Sequence, residues 1–440
     1  MTKLLRILFI FILFASTSSA IGQCPLTFEN SDQAVIGIYV SPIKGDSAIV
    51  DYCSGQQMLA ASVMKAVTSA AVLSKYSGNY RWATHVNAIG TVTDSILDGN
   101  IYITGSGDPT IESHYFKGKR ETFIDAIMRE LKGHGIKHVT GQVLLENTWP
   151  DEGAIPSWEI EDCSGSDGAG FYTLNFKDNI FEITFPSLEL MPNVPNINIH
   201  YNETDERLSF SRKYGAYDVF IKGKLSGKQT EAKFYCSMPN PTDVALRSIS
   251  DSLKVDGKHI ENKSDTIHIL TYQSPSLRNV VRSLMVRSDN QMAEGILRLL
   301  APGMTRQDAI AAEYRQLSRI GANVKNARIA DGSGLSRHNS ISAKQIASVL
   351  KAMSSRKDYV NSFAKVGKDG TVKNFMKGLP GRENLALKSG SMTGVVAYAG
   401  YRIDPDSKEP THVIAIFVNN APSSTKARNG IAEFLSTITF

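Results

Sequence analysis

Three short stretches hold residues whose types and spacing suit covalent chemistry: Ser62-Val63-Met64-Lys65, Ser288-Asp289-Asn290 and Lys388-Ser389-Gly390. A serine hydroxyl is a poor nucleophile until a base takes its proton, so it needs a partner within hydrogen-bond reach. On a helix, residues three apart share a face, which sets Lys65 beside Ser62. A lysine serves as base only when its pKa falls, and both burial and a second cation depress it. The apolar run Ala66–Leu73 would bury Lys65, and Lys388 would supply the second cation, so the sequence predicts a neutral Lys65 in the resting site. A helix start adds free backbone N–H groups that can face a developing oxyanion.

Each stretch alone is weak. S-x-x-K recurs elsewhere, as at Ser41, Ser354, Ser362 and Ser423, and S-x-N recurs at Ser77, whereas K-[S/T]-G occurs once. By itself Ser62 reads equally as a helix N-cap followed by a surface lysine. Its setting separates it from the other copies, because it opens the apolar run and the other two motifs follow in order. Asp289 reads as a packing or capping residue and stays outside the site. The histidines are scattered, with His134 and His138 outside any H-E-x-x-H frame, so neither a metal nor a cofactor is expected. No G-x-S-x-G elbow is present, which argues against an α/β-hydrolase.

The elements that must position these groups are legible in outline. Residues 34–40 and 48–52 read as strands, and the Ser62 helix runs to about Tyr76. From about Ala83 to Thr271 the character changes to short β-like runs (100–104, 142–145, 180–185, 219–221) with one amphipathic helix near 122–131. Helical patterns return at 277–286, 291–300, 307–320 and 343–353. Strands at 385–388, 397–402 and 412–418 and a closing helix after Ser423 end the chain. Ser62 thus precedes a large β-rich insert, and the other two motifs follow it.

At 440 residues the chain suggests two or three domains, with the 42% apolar and 21% charged composition of a globular protein. Residues 1–20 read as a secretory signal: a basic start (Lys3, Arg6), an apolar run Ile7–Phe14 too short to span a bilayer, and Ser18-Ser19-Ala20 for cleavage. Its removal takes away two positive charges, so the net +5 becomes +3, too mild to argue for nucleic acid or a membrane surface. No transmembrane segment is expected. An exported, periplasmic or extracytoplasmic location makes Cys24, Cys53, Cys163 and Cys236 disulfide candidates. At least one bridge is expected, Cys163–Cys236 first and Cys24–Cys53 as its companion. Ile21-Gly22-Gln23 is a poor lipobox before Cys24, which favours a soluble form over an acylated one.

Longer stretches add specificity: Gly105-Ser106-Gly107-Asp108-Pro109-Thr110, Tyr172-Thr173-Leu174-Asn175 through Asn179, Asp331-Gly332-Ser333-Gly334-Leu335-Ser336-Arg337, and Gly394 to Tyr401. Together with the three motifs, over essentially the whole mature chain, they resemble the low-molecular-mass class C penicillin-binding proteins, D-alanyl-D-alanine carboxypeptidases/endopeptidases with a large insert between the first two motifs. The resemblance implies an α+β fold. A transpeptidase/β-lactamase-like domain, mainly an antiparallel sheet flanked by helices, would be built from residues 23–82 and 272–440. Residues 83–271 would form one or two inserted β-rich domains.

The resemblance also implies roles. Ser62 would be the acylated nucleophile, Lys65 its general base and Ser288 the proton relay to the leaving amine. Asn290 would hold a substrate amide, Lys388 and Ser389 the substrate carboxylate, and the N–H groups of Ser62 and Ser391 the oxyanion. Ser389 stands where threonine is usual and keeps the hydroxyl. On its own, Gly105–Thr110 reads as a turn and Asp331–Arg337 as a Gly-rich loop near the cleft. The expected partners are peptidoglycan stem peptides, with β-lactams as covalent inhibitors; oligomeric state is open. A serine β-lactamase and a non-catalytic β-lactam or peptidoglycan sensor using the same cleft are the competing readings.

Overall fold

The computed structural model describes residues 23–440 apart from 46, 119, 147, 214 and 259–265, so the leader expected over residues 1–20 lies outside the described residues. The chain is an α+β protein. Its central antiparallel sheet has six strands in the order Ala364–Lys365, Leu385–Met392, Val395–Ile403, Pro410–Asn419, Val35–Pro42, Val50–Tyr52. Strand alternation sends Ala397, Ala399, Tyr401, Val413, Ala415 and Phe417 to one face and Val396, Tyr398, Ile414, Ile416 and Val418 to the other. The first face packs on a helical half. The second packs beneath the C-terminal helix Ser424–Thr437.

The helix Met64–Lys75 runs through the helical half, buried from Met64 to Leu73. A helix apolar on nearly all sides has no solvent face, so its polar residues Lys65, Thr68 and Ser69 are carried into the core. The Tyr359 hydroxyl donates to the Ala66 carbonyl at 3.0 Å, and the Asn419 amide exchanges two 2.9 Å bonds with the Leu59 backbone. The Asn419 bonds tie the approach to the helix to the central sheet.

The insert leaves after Trp82 and returns at Tyr272. Its first and last strands, Ala83–Thr93 and Thr266–Gln273, pair with each other, which closes the loop at its root. Ile96–Thr104, His138–Val139 and Val143–Glu146 complete that five-stranded sheet, and two three-stranded sheets follow. The insert has its own core around Phe123, Leu174, Phe176, Phe181 and Ile249. It also contains a helix the sequence reading missed, Pro241–Leu253. The start signal was available: Asn240 accepts from Asp243 N–H as N-cap, and Pro241 follows as the first helical residue.

The expected disulfides are not formed; all four cysteines are free thiols. Cys163 packs with Ala154, Ile155 and Trp158, whereas Cys236 belongs to the insert core, so the two side chains serve different clusters despite neighbouring backbones. Cys24 donates its thiol to the Leu26 carbonyl at 3.2 Å, and Cys53 is exposed. Among the described residues no helix is long and apolar enough to cross a membrane.

Candidate active site

Ser62 sits in a single 3-10 turn, Ala61–Val63, that feeds the buried helix. Ala61 is held at φ 46, a left-handed conformation costly for a residue with a Cβ. Two glycines permit it. A Cβ on Gly334 would lie 2.0 Å from the Ala61 carbonyl oxygen, and one on Gly390 would lie 2.5 Å from that of Ala60. The Asp331–Arg337 loop and the Leu385–Met392 strand therefore pinch the turn from two sides and leave Ser62 half-buried.

Lys65 is fully buried, and its ammonium donates to Ser62 Oγ (2.9 Å), Asn290 Oδ1 (2.6 Å) and the Ser333 carbonyl (2.7 Å). Burial lowers its pKa from 10.5 to about 8, and the charges of Asp331, Asp289, Glu294 and Asp167 hold back a deeper fall. Burial thus moves Lys65 toward the free amine that the sequence predicts, and the neighbouring carboxylates limit how far. The pKa of the second buried lysine moves the same way. Lys388, fully buried, is driven well below its ordinary value by burial and then by the charge of Lys65. Its Nζ donates to Ser288 Oγ (2.9 Å) and to the Ser389 carbonyl (2.6 Å).

The second motif is a helix junction. Ser288 ends Leu277–Arg287 in the left-handed region (φ 66), which turns the chain sharply and aims its hydroxyl at Lys388. Asp289 then caps the helix Asn290–Leu299 by accepting from Met292 N–H at 2.7 Å. Burial, then the charge of Asp178, raises its pKa to about 6. Asn290 gives its carbonyl oxygen to Lys65 and donates one amide hydrogen to the Asp167 carbonyl at 2.9 Å, leaving a second hydrogen unassigned. Ser389 Oγ lies 2.7 Å from Thr371 Oγ1.

The structure thus brings Ser62, Lys65, Ser288, Asn290, Lys388 and Ser389 into one cleft, with Ser391 two residues farther along the same strand. Other S-x-x-K serines have different settings; Ser348, which also fits the pattern, accepts from Asn323 N–H at 2.8 Å. Ser41 and Ser362 are buried and donate to the Pro42 and Tyr359 carbonyls, Ser354 donates to the Lys351 carbonyl, and Ser423 is a helix N-cap.

Several contributors were missed from sequence. Glu294, one helical turn beyond Asn290, accepts from Gly332 N–H (3.2 Å) and Ser333 N–H (2.8 Å), fixing the loop whose carbonyl holds Lys65. An acid inside the apolar run Met292–Leu299 was its signal. Asp331 organises its own loop by accepting from Gly334 N–H, Ser336 N–H, Asn339 and the Trp158 indole (2.6–2.8 Å). Trp158 and Asp167 come from the insert, so the insert furnishes part of the cleft wall. No spacing in the sequence announces that. The Gly105–Thr110 stretch is architectural: Gly107 is left-handed (φ 68), and Pro109 packs so closely on the Asn290–Leu299 helix that a Cβ on Gly295 would lie 2.9 Å from its ring. Asn175 and Asn179 form a buried knot with neighbouring backbone.

Residues 25–438 match the D-Ala-D-Ala carboxypeptidase 3 (S13) family. The chain is 25% identical over 426 residues to the D-alanyl-D-alanine carboxypeptidase DacB of Haemophilus influenzae, covering 88% of this chain and 86% of that one. It is 23% identical over 418 residues to a D-alanyl-D-alanine carboxypeptidase of an Actinomadura species, covering 85% and 76%. Among solved structures, penicillin binding protein 4 (dacB) from Haemophilus influenzae superimposes with a TM-score of 0.77 at 22% identity, covering 93% of this chain and 96% of that one.

Proposed function

The chain belongs to the D-Ala-D-Ala carboxypeptidase 3 (S13) family, and from that premise we propose that it is an exported serine DD-peptidase acting through an acyl-enzyme on Ser62. It removes terminal D-alanine from peptidoglycan stem peptides or opens D-Ala–diamino acid cross-links, and β-lactams inhibit it covalently. One observation carries the reading: Nζ of Lys65 lies 2.9 Å from Ser62 Oγ while Nζ of Lys388 lies 2.9 Å from Ser288 Oγ, two Ser–Lys pairs with buried amines in one cleft. Residues 23–82 with 272–440 form the peptidase domain in this reading, and 83–271 the insert.

The free amine of Lys65 takes the Ser62 hydroxyl proton as Oγ attacks the carbonyl carbon of the penultimate D-alanine. The N–H groups of Ser62 and Ser391 receive the oxyanion, each donor worth about 3–4 kcal/mol in sites of this type. The C–N bond then breaks, and the leaving amine takes a proton relayed through Ser288. Water hydrolyses the ester, with Lys65 again accepting a proton. Lys388 and Ser389 face the substrate's terminal carboxylate. Because burial and Lys65 disfavour a charged Lys388, an arriving carboxylate supplies the missing counter-charge and draws a proton onto it.

Incubating the purified protein with an acyl-D-Ala-D-Ala peptide and a chromogenic β-lactam tests the reading. Released D-alanine with slow, stoichiometric β-lactam acylation supports it. Rapid β-lactam turnover would indicate a β-lactamase, and acylation without peptide cleavage a sensor. Digestion of monomeric and cross-linked muropeptides then separates carboxypeptidase from endopeptidase action.

A further inference from the structure

Beside the cleft lies a pocket of about 560 Å³ whose charge is one-sided. Its floor is the solvent face of the helix Leu277–Arg287: Asn279, Arg282, Ser283, Val286 and Arg287, spaced three and four apart. Its walls come from the root of the insert, where Arg81, Arg120 and Tyr115 close over it. Four arginines line this space, and no acidic residue lines it among the described residues. Among the described residues one of the four, Arg282, forms an ion pair, with Asp369 at 2.6 Å, and Arg120 lies within reach of the charge of buried Asp108. Arg81 donates to the Ser274 carbonyl, and Arg120 donates to the Gln273 and Thr110 carbonyls and stacks over Tyr272. Arg287 lies 4.4 Å from the centre of the Tyr115 ring. The neighbouring acids are engaged elsewhere: Asp289 caps its helix, Asp178 pairs with His114, and Asp108 bonds Thr110.

Like charges held together repel, and an anion entering the pocket relieves that repulsion. Arginine presents flat, paired donors that suit a carboxylate. The position of the pocket says which carboxylate. Arg287 immediately precedes Ser288. Gly370 packs on the Val286 carbonyl, where a Cβ would lie 2.0 Å away, and the next residue, Thr371, contacts the Ser389 hydroxyl. The pocket therefore adjoins the Lys388–Ser389 end of the cleft, on the side from which the leaving amine departs.

We propose that this arginine pocket is a binding subsite for a carboxylate-bearing peptide on the leaving-group side, which makes cross-linked stem peptides a preferred substrate class. The proposal rests on the peptidase reading above and extends it. Tyr115, Phe116 and Pro275 give the pocket apolar walls that accept a peptide's methyl and methylene groups, whereas a polyphosphate would leave them uncovered.

The test uses the full mature chain and the double variant Arg81→Gln/Arg287→Gln. KM for a cross-linked stem-peptide dimer is expected to rise about tenfold, with KM for a monomeric acyl-D-Ala-D-Ala peptide within about twofold. Benzylpenicillin acylation of Ser62 is expected to stay within about twofold, which reports separately on fold and nucleophile. Parallel changes for both peptides, or no change for either, would overturn the subsite. Binding of the dimer to Ser62→Ala protein, measured by calorimetry, gives a second readout independent of turnover. The same arginine substitutions must weaken it, and unaltered or undetectable dimer binding counts against the proposal. Poly(glycerol phosphate) displacing the dimer more effectively than free stem peptide would overturn the peptide assignment. Failure of benzylpenicillin to label wild-type Ser62 would instead sink the peptidase reading itself.

Discussion

In the insert, Asn175 and Asn179 are buried and well partnered: they bond each other and the backbone of Tyr172, Phe176, Gly170 and Asp108. In the cleft, Lys65 and Lys388 are just as buried, yet their charges repel one another and no carboxylate forms an ion pair with either among the described residues. Both regions carry polar side chains out of water, a costly step unless compensated. The insert compensates with neutral hydrogen bonds and obtains a rigid corner. The cleft holds two lysines out of water, and that burial lowers both pKa values. The asparagine knot is neutral and fully bonded, whereas the two cleft lysines have pKa values lowered by burial.

The sharpest way to break that contrast is at Lys65. Lys65→Arg keeps a cation but cannot release its proton, so acylation should fall about a thousandfold in stopped-flow β-lactam assays, within the usual range for a lost general base. In the wild type the acylation rate should rise with pH through about 8, because only the free amine accepts the Ser62 proton and its fraction grows as pH passes the lowered pKa. A flat profile between pH 6 and 9 would contradict the base assignment.

Lys388→Ala comes next. Acylation should slow about a hundredfold, the worth of one charge-assisted hydrogen bond. Steady-state kinetics should reveal a larger loss for peptides with a free terminal carboxylate than for their amidated counterparts. Equal losses would separate Lys388 from carboxylate recognition.

The insert should respond in the other currency. Asn179→Ala strands partners in the buried knot and should lower unfolding free energy by about 2–3 kcal/mol in denaturant melts, leaving penicillin acylation per folded molecule unchanged. A selective loss of acylation at full stability would make the knot part of the site.

These contrasts also explain what was legible in the sequence. Ser62, Lys65, Ser288, Asn290 and Lys388 could be named because helix spacing and motif order fix them locally, and the helix Met64–Lys75 could be placed because its apolar run admits no solvent face. Trp158 and Asp167 could not be, since each reaches the cleft only when the insert docks, and the Asp331–Arg337 loop was placed near the cleft without the role of its Ser333 carbonyl. The carboxylates of Asp331 and Glu294, which limit the fall of the Lys65 pKa, could not be paired with it because they are remote in sequence and adjacent in space. The thiols erred likewise: neighbouring backbones at Cys163 and Cys236 send their side chains into separate cores.

The smallest expected effect lies beneath the site. Glu313 is fully buried, and burial raises its pKa from 4.5 to about 8. The folded state holds that proton where the unfolded state has lost it, so this group's contribution to stability falls as pH rises from about 4.5 to 8. Glu313→Gln should therefore be more stable than wild type at pH 8.5 and close to it at pH 4.5, read as thermal midpoints at both pH values. An unchanged difference across that window would place the carboxyl in contact with water.

The covalent step tests the central claim most directly. Benzylpenicillin-treated protein, digested and mapped by mass spectrometry, should carry one adduct, on Ser62, where a 2.9 Å contact joins the hydroxyl to a buried amine of lowered pKa. An adduct on Ser41, Ser354, Ser362 or Ser423 with Ser62 unmodified would contradict the account.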